Sequence, residues 1–111
     1  MQASAVLFLA QRASAVVLAP LVLVHLGLAI YAIHGGLSAA EILARTQGSA
    51  FWLLFYGLFV VAAAVHAPIG LRTVAREWLG LKGRAMDLAL TGFGLLLLVL
   101  GLRAVAAVTG G

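Results

Sequence analysis

Apolar residues run almost unbroken through three long segments of this chain, and the polar positions gather between them. That pattern predicts three helices, from about Ala13 to His34, Ser49 to Val74 and Met86 to Val108. Each has roughly 20 or more mainly apolar residues, enough to cross a ~30 Å hydrocarbon layer at about 1.5 Å per residue. Gly35 and Gly36 stop the first segment, and Ser49 is suited to cap the second. Gly80, Gly83 and the charges near them mark the turn before the third. The spacing of Ser38-Ala-Ala-Glu41 matches a capping box and predicts a short helix at the surface. Residues 1–10 are apolar as well, but no basic region precedes them and Gln11-Arg12 interrupts them, which argues against a cleaved signal peptide.

Composition says what surrounds these segments. Of 111 residues, 65% are hydrophobic and 9% charged, whereas a soluble domain has about half and about a quarter. A core this small cannot hide the excess, because roughly a third of a short chain's surface stays exposed after folding. The solvent for most of these side chains is lipid. The fold class is all-α membrane protein, a single three-helix domain over residues 1–111. Cysteine is absent, which excludes disulfides, thiol catalysis and iron–sulfur ligation by this chain. The net charge of +4 rests on seven basic residues that flank the apolar runs, so they read as orientation signals and not as a nucleic-acid surface. Arg12, Arg72, Arg76, Lys82 and Arg84 fall on one side against Arg45 and Arg103 on the other, which puts the N-terminus and the second connection in the cytoplasm. Tyr31, Phe51-Trp52 and Trp78 fall near the interfaces, as aromatic belts do.

The residue in these spans with the strongest claim to chemistry is His66, which opens the string His66-Ala-Pro-Ile-Gly70-Leu-Arg72. An imidazole in hydrocarbon has no water to pair with, so it needs a hydrogen-bond partner, a proton path or a metal. Gly70, one turn along the same face, removes the side chain that would hold a large flat ligand off the backbone, which points toward a bound haem. The alternative is a histidine bonded to a neighbouring helix, with Gly70 easing helix packing. At about 100° per residue, His66, Gly70, Thr73 and Glu77 form one stripe, with Glu77 about 16 Å of helix away at the cytoplasmic interface. Pro68 predicts a kink beside the histidine.

On the first helix, Arg12 can reach carboxylates or phosphates or snorkel to headgroups, and Ser14 can donate to a carbonyl or bond back to its own helix. His25 follows Ser14 by 11 residues, the separation that also divides His66 from Glu77. In antiparallel helices this match predicts the two histidines at one depth, and Ser14 and Glu77 at another. Directly packed axes lie only about 8–10 Å apart, too close to admit a porphyrin between two imidazoles. Unless the helices splay, His66 takes its second axial ligand from another chain. His25 is then a polar contact, a ligand to a second haem, or a group behind the ligand. His34, beside Gly35-Gly36, reads as solvated. Asp87, in the first turn of the third helix, suits the helix dipole and lies close to Arg84, while Gly94 and Gly101 mark a packing face.

Two segments resemble a known family, the small cytochrome b membrane-anchor subunits of succinate dehydrogenase (succinate:quinone oxidoreductase). Gln11-Arg12-Ala13-Ser14-Ala15-Val16, followed by Pro20, is similar to the family's Q-R-x-[ST]-A opening of helix one. His66-Ala-Pro-Ile-Gly70-Leu-Arg72-Thr-Val-Ala-Arg-Glu77-Trp78 is similar to its H-x-x-x-G pattern with an acid and an aromatic after it. The resemblance implies a multi-subunit helical bundle in the bacterial inner membrane, with His66 as an axial ligand to haem b and Gly70 beside it. Arg12 would lie near the haem propionates, and ubiquinone or menaquinone would be reduced near Arg12, Ser14, Glu77 and Trp78. The implied partners are a flavoprotein subunit, an iron–sulfur subunit and a second membrane-anchor subunit, so this chain carries no catalytic residue of its own. The family's acid–aromatic pair usually reads Asp-Tyr. Trp78 can donate through its indole N–H but cannot exchange a proton as a phenol does. Thr73 stands where the larger anchor subunit typically has a second histidine. The cations Arg72, Arg76, Lys82 and Arg84 would suit docking of the soluble subunits or anionic lipid.

Two other functions compete with a haem- and quinone-binding anchor. One is a haem-free anchor that only recruits the catalytic subunits. The other is a small transporter, but proton-coupled carriers need an embedded acid, and Glu41, Glu77 and Asp87 all fall at or near interfaces.

Overall fold

The computed structural model describes residues 2–110. Four helices follow one another: α1 (Gln2–Gly35), α2 (Ala39–Thr46), α3 (Ala50–Leu79) and α4 (Arg84–Thr109). No strand forms among the described residues. Three segments are long and apolar enough to cross a membrane: Ala5–Gly35, Ala50–Leu79 and Arg84–Thr109.

Local chemistry sets the helix ends. The capping box at α2 is formed in both directions: the Ser38 amide donates to Glu41 Oε1 at 2.9 Å, and the Glu41 amide donates to Ser38 Oγ at 3.2 Å. The Ser38 amide, and after it the Ser38 hydroxyl, hold the Glu41 carboxyl below its ordinary range. Ser49 caps α3 by accepting from the Trp52 amide at 3.2 Å. Gly36 (φ 63°) and Gly80 (φ 67°) follow α1 and α3 in the left-handed region that glycine adopts without strain.

The first helix is longer than its pattern predicts. It starts at Gln2 and not near Ala13, because Gln11 and Arg12 are good helix formers and continue the turn instead of breaking it. Its 34 residues rise about 51 Å, in line with the molecule's 48 Å long axis. The α3 helix likewise continues past Val74 to Leu79, and α4 begins at Arg84, two residues before Met86.

The middle helix of the three is α3, which packs against α1 on one side and α4 on the other. Its helix runs uninterrupted through Pro68, so the expected kink does not break it. Proline has no N–H for the carbonyl of Ala64, and α4 packs closely there. A Cβ on Gly94 would lie 2.9 Å from Pro68 Cγ and 3.1 Å from the Ala64 oxygen, so only glycine allows this approach. One face further along α4, Gly101 backs onto Val60. Both glycines of the predicted packing face therefore serve the α3–α4 seam.

Polar contacts hold both ends of α4, to α3 at one end and to α2 and the turn after it at the other. Arg72 Nε donates to Asp87 Oδ1 at 3.1 Å, so the partner of Asp87 lies across the seam and is not Arg84. At the other end Thr46, 1% exposed, donates its hydroxyl to the Val108 carbonyl at 2.6 Å. The Gly48 amide donates to the Thr109 carbonyl at 2.9 Å. These bonds satisfy two of the carbonyls that the last turn of α4 leaves open. Among the described residues the buried apolar side chains are only Ala62 and Val105, and most large apolar residues face outward.

The seam yields a paired test. Gly94→Ala is expected to destabilise the bundle by about 1–3 kcal/mol through overpacking against Pro68. Gly92→Ala, whose Cβ would meet nothing within 4 Å, is expected to stabilise α4 by up to about 1 kcal/mol. Thermal unfolding of both variants in one detergent checks this; shifts of the same sign would mean that Gly94 is not the point of close approach.

Candidate functional site

The α1–α3 contact is set by residues whose side chains meet near one level. Ser14 Oγ lies 3.1 Å from His66 Nδ1, across 52 positions of sequence. Three residues earlier on α1, Gln11 packs over Gly70, where a Cβ would lie 3.2 Å from Gln11 Nε2. Further along, the His25 ring meets the rings of Tyr56 and Phe59 edge-on, with centroids 6.1 and 5.5 Å away. These three pairings run in opposite directions along the two helices, so α1 and α3 are antiparallel.

This register corrects the expected pairing by depth. Ser14 stands level with His66 and not with Glu77, and His25 stands about 16 Å further along the bundle, eleven residues on. The two equal intervals of the sequence do not align, because the Gln11–Gly70 and Ser14–His66 contacts fix the offset. Two nitrogens on one iron lie about 4 Å apart, twice an ordinary metal–nitrogen bond. His25 and His66 of one chain therefore do not meet on a single metal. Among the described residues no group of three or more His, Cys, Asp or Glu is placed to hold a metal ion.

Ser14 is the polar centre of this contact. It is 7% exposed, and its hydroxyl also lies 3.0 Å from the carbonyl of Gln11, one turn back. His66 is half-buried, and among the described residues Nδ1 is its one ring nitrogen with a hydrogen-bond partner. The other nitrogen, Nε2, has no hydrogen-bond partner among the described residues. Gln11 adds an acceptor: its Oε1 is buried with no donor in reach. The sequence marked Gln11 only as the start of a motif. Its place on the face of Ser14, one turn away, was the signal that it faces α3.

The remaining candidates lie apart from this centre. Arg12 is exposed, with its guanidinium 5.6 Å from the Phe8 ring centroid. Glu77 is exposed and Trp78 is 82% exposed, both in the last turn of α3, about 16 Å of helix from His66. The space above Gly70 is taken by the Gln11 amide, so within this chain that glycine serves the crossing of α1 and α3. His34 is exposed at the end of α1.

Three cavities along α3 are lined without His66. One of about 580 Å³ lies along the α3–α4 seam, between Pro68, Gly94 and Thr91, and ends at the Arg72–Asp87 pair. Another of about 390 Å³ is lined by His25, Tyr56, Phe59, Thr46 and Val105. At the turn between α3 and α4, Arg72, Arg76 and Lys82 share a third hollow.

Residues 1–103 match the family model described as succinate dehydrogenase/fumarate reductase transmembrane subunit. Neither a curated protein nor a solved structure matches the chain significantly.

Proposed function

The chain belongs to the succinate dehydrogenase/fumarate reductase transmembrane-subunit family, and from that membership we propose that it is a haem b- and quinone-binding anchor. Membership implies association with the catalytic subunits of such a complex. The observation that carries the haem assignment is the state of His66. Its Nδ1 is engaged by Ser14, while Nε2 has no hydrogen-bond partner among the described residues. That donor set fits an iron: a neutral imidazole, oriented by a second group, with one nitrogen free. When bound, haem b supplies a one-electron carrier whose potential the axial ligands and burial tune.

The protein's own residues have three tasks in this reading. His66 would hold the iron from one side. A further ligand to that iron would have to come from outside this chain, since His25 lies about 16 Å away along the bundle. Arg12, two residues from Ser14 on α1, would meet the acidic edge of the macrocycle, since it is exposed and offers five N–H donors.

Quinone, ubiquinone or menaquinone, would bind at the cytoplasmic end. A quinone gains two electrons and two protons on reduction. The indole N–H of Trp78 can hold its carbonyl oxygen, and Glu77 can pass protons from water. Arg12 can stabilise the negative charge that precedes protonation. Ser14, with its hydroxyl committed to His66 and Gln11, is better suited to the haem side than to the quinone. The basic turn with Arg72, Arg76, Lys82 and Arg84 would dock the flavoprotein and iron–sulfur subunits from the cytoplasm of a bacterial inner membrane, or bind anionic lipid there.

One observation favours a second reading, a haem-free anchor. A Ser14–His66 bond by itself also serves as a hydrogen bond that joins two membrane helices. A reduced-minus-oxidised spectrum of the purified complex separates the two. We expect a b-type band that His66→Ala abolishes while the spans still insert; a wild-type complex with no band, or a band untouched by His66→Ala, overturns the assignment. For the quinone, Trp78→Phe is expected to raise the apparent KM about five- to ten-fold, the worth of one hydrogen bond, with haem content unchanged. Unaltered quinone kinetics would move the contact elsewhere.

A further inference from the structure

Ser14 offers more than a contact, because its two short distances determine where one proton sits. A serine hydroxyl has one proton and two lone pairs, and a backbone carbonyl can only accept. Ser14 Oγ lies 3.0 Å from the Gln11 oxygen and 3.1 Å from His66 Nδ1. If the hydroxyl donated to Nδ1, the 3.0 Å separation from the carbonyl would bring two oxygens together with no proton between them. If it donates to Gln11, both distances become hydrogen bonds: Oγ–H to the carbonyl, and Nδ1–H to Oγ. The second arrangement puts a proton in each of the two short contacts, where the first leaves one of them without any.

The geometry points to Ser14 as the positioning residue that holds His66 in its Nδ1–H tautomer, with Nε2 bare and ready for iron. The step toward iron rests on the haem reading above; the tautomer does not. Donation to the Gln11 carbonyl polarises Oγ and makes it a stronger acceptor. Nδ1–H then gives up more of its proton to Oγ, and the ring becomes a more basic ligand at Nε2. A more basic axial ligand stabilises oxidised iron over reduced iron, so Ser14 sets the haem potential lower than an unsupported histidine would.

Two variants separate this role from a packing role. Ser14→Ala removes the acceptor; Ser14→Thr keeps a hydroxyl that can still bond back along its helix. The first measurement is nitrogen-15 NMR of the full chain, labelled at histidine, in bilayers without haem, with His66 assigned by its loss in His66→Gln. The wild type and Ser14→Thr should show a protonated Nδ1 and a bare Nε2, and Ser14→Ala should show a mixture of tautomers. A protonated Nε2 in the wild type, or the same tautomer in Ser14→Ala, overturns the inference. The second measurement is a redox titration of the haem band in the assembled complex. Ser14→Ala should shift the midpoint to more positive potential with the band retained, and Ser14→Thr should stay near the wild type. A midpoint unmoved by Ser14→Ala overturns the tuning role. A wild-type complex without the band defeats the haem reading instead, and leaves the tautomer to be decided by NMR.

Discussion

Hydrocarbon offers polar groups no water, so each must find a partner within the protein or with what the protein binds. The bond between Ser14 and His66 is where that constraint bears hardest on this chain. It ties α1 to α3, and with Gln11 over Gly70 it sets how far one helix is displaced along the other. Everything else about the candidate site follows from that offset. Because Ser14 meets His66, His25 falls among Tyr56 and Phe59, and Glu77 and Trp78 are carried to the far end of α3. One hydroxyl thus decides which histidine has a free nitrogen beside a supported one.

The two sides of α3 divide the work. Its α1 side carries the polar centre, and its α4 side carries the packing. On the α4 side the helices come close where proline has removed a backbone bond, and Gly94 is the residue that permits it. The Arg72–Asp87 pair at one end and the Thr46–Val108 bond at the other keep α4 from sliding. A chain in which Ala62 and Val105 are the buried apolar residues is not stabilised by its own core. Its large apolar residues face outward, as suits a member of a transmembrane-subunit family.

The sequence shows why such a short chain can be an anchor. With no cysteine it has no thiolate to ligate an iron–sulfur cluster. What it brings to a complex is a membrane bundle, a basic turn between α3 and α4 and one supported imidazole. The chemistry proposed for it is that of holding and tuning, which needs few residues in fixed positions.

Much of this was legible without coordinates, because it is local or repetitive. Three apolar runs have to be membrane helices, Ser38 and Glu41 three apart have to form a cap, and Gly94 and Gly101 on one face have to pack closely. The special standing of His66 follows from the cost of a lone imidazole in lipid. Where α1 begins was misread, since two polar residues looked like a break but had no reason to stop a helix. Register was not legible at all. A helix repeats every ~3.6 residues, so many offsets bring some polar residue of α1 opposite His66. Equal spacings in the sequence pointed to the wrong one. Only the packed structure selects among them, because the choice depends on whether the Gln11 side chain fits over a glycine and a serine reaches a ring nitrogen at the same time.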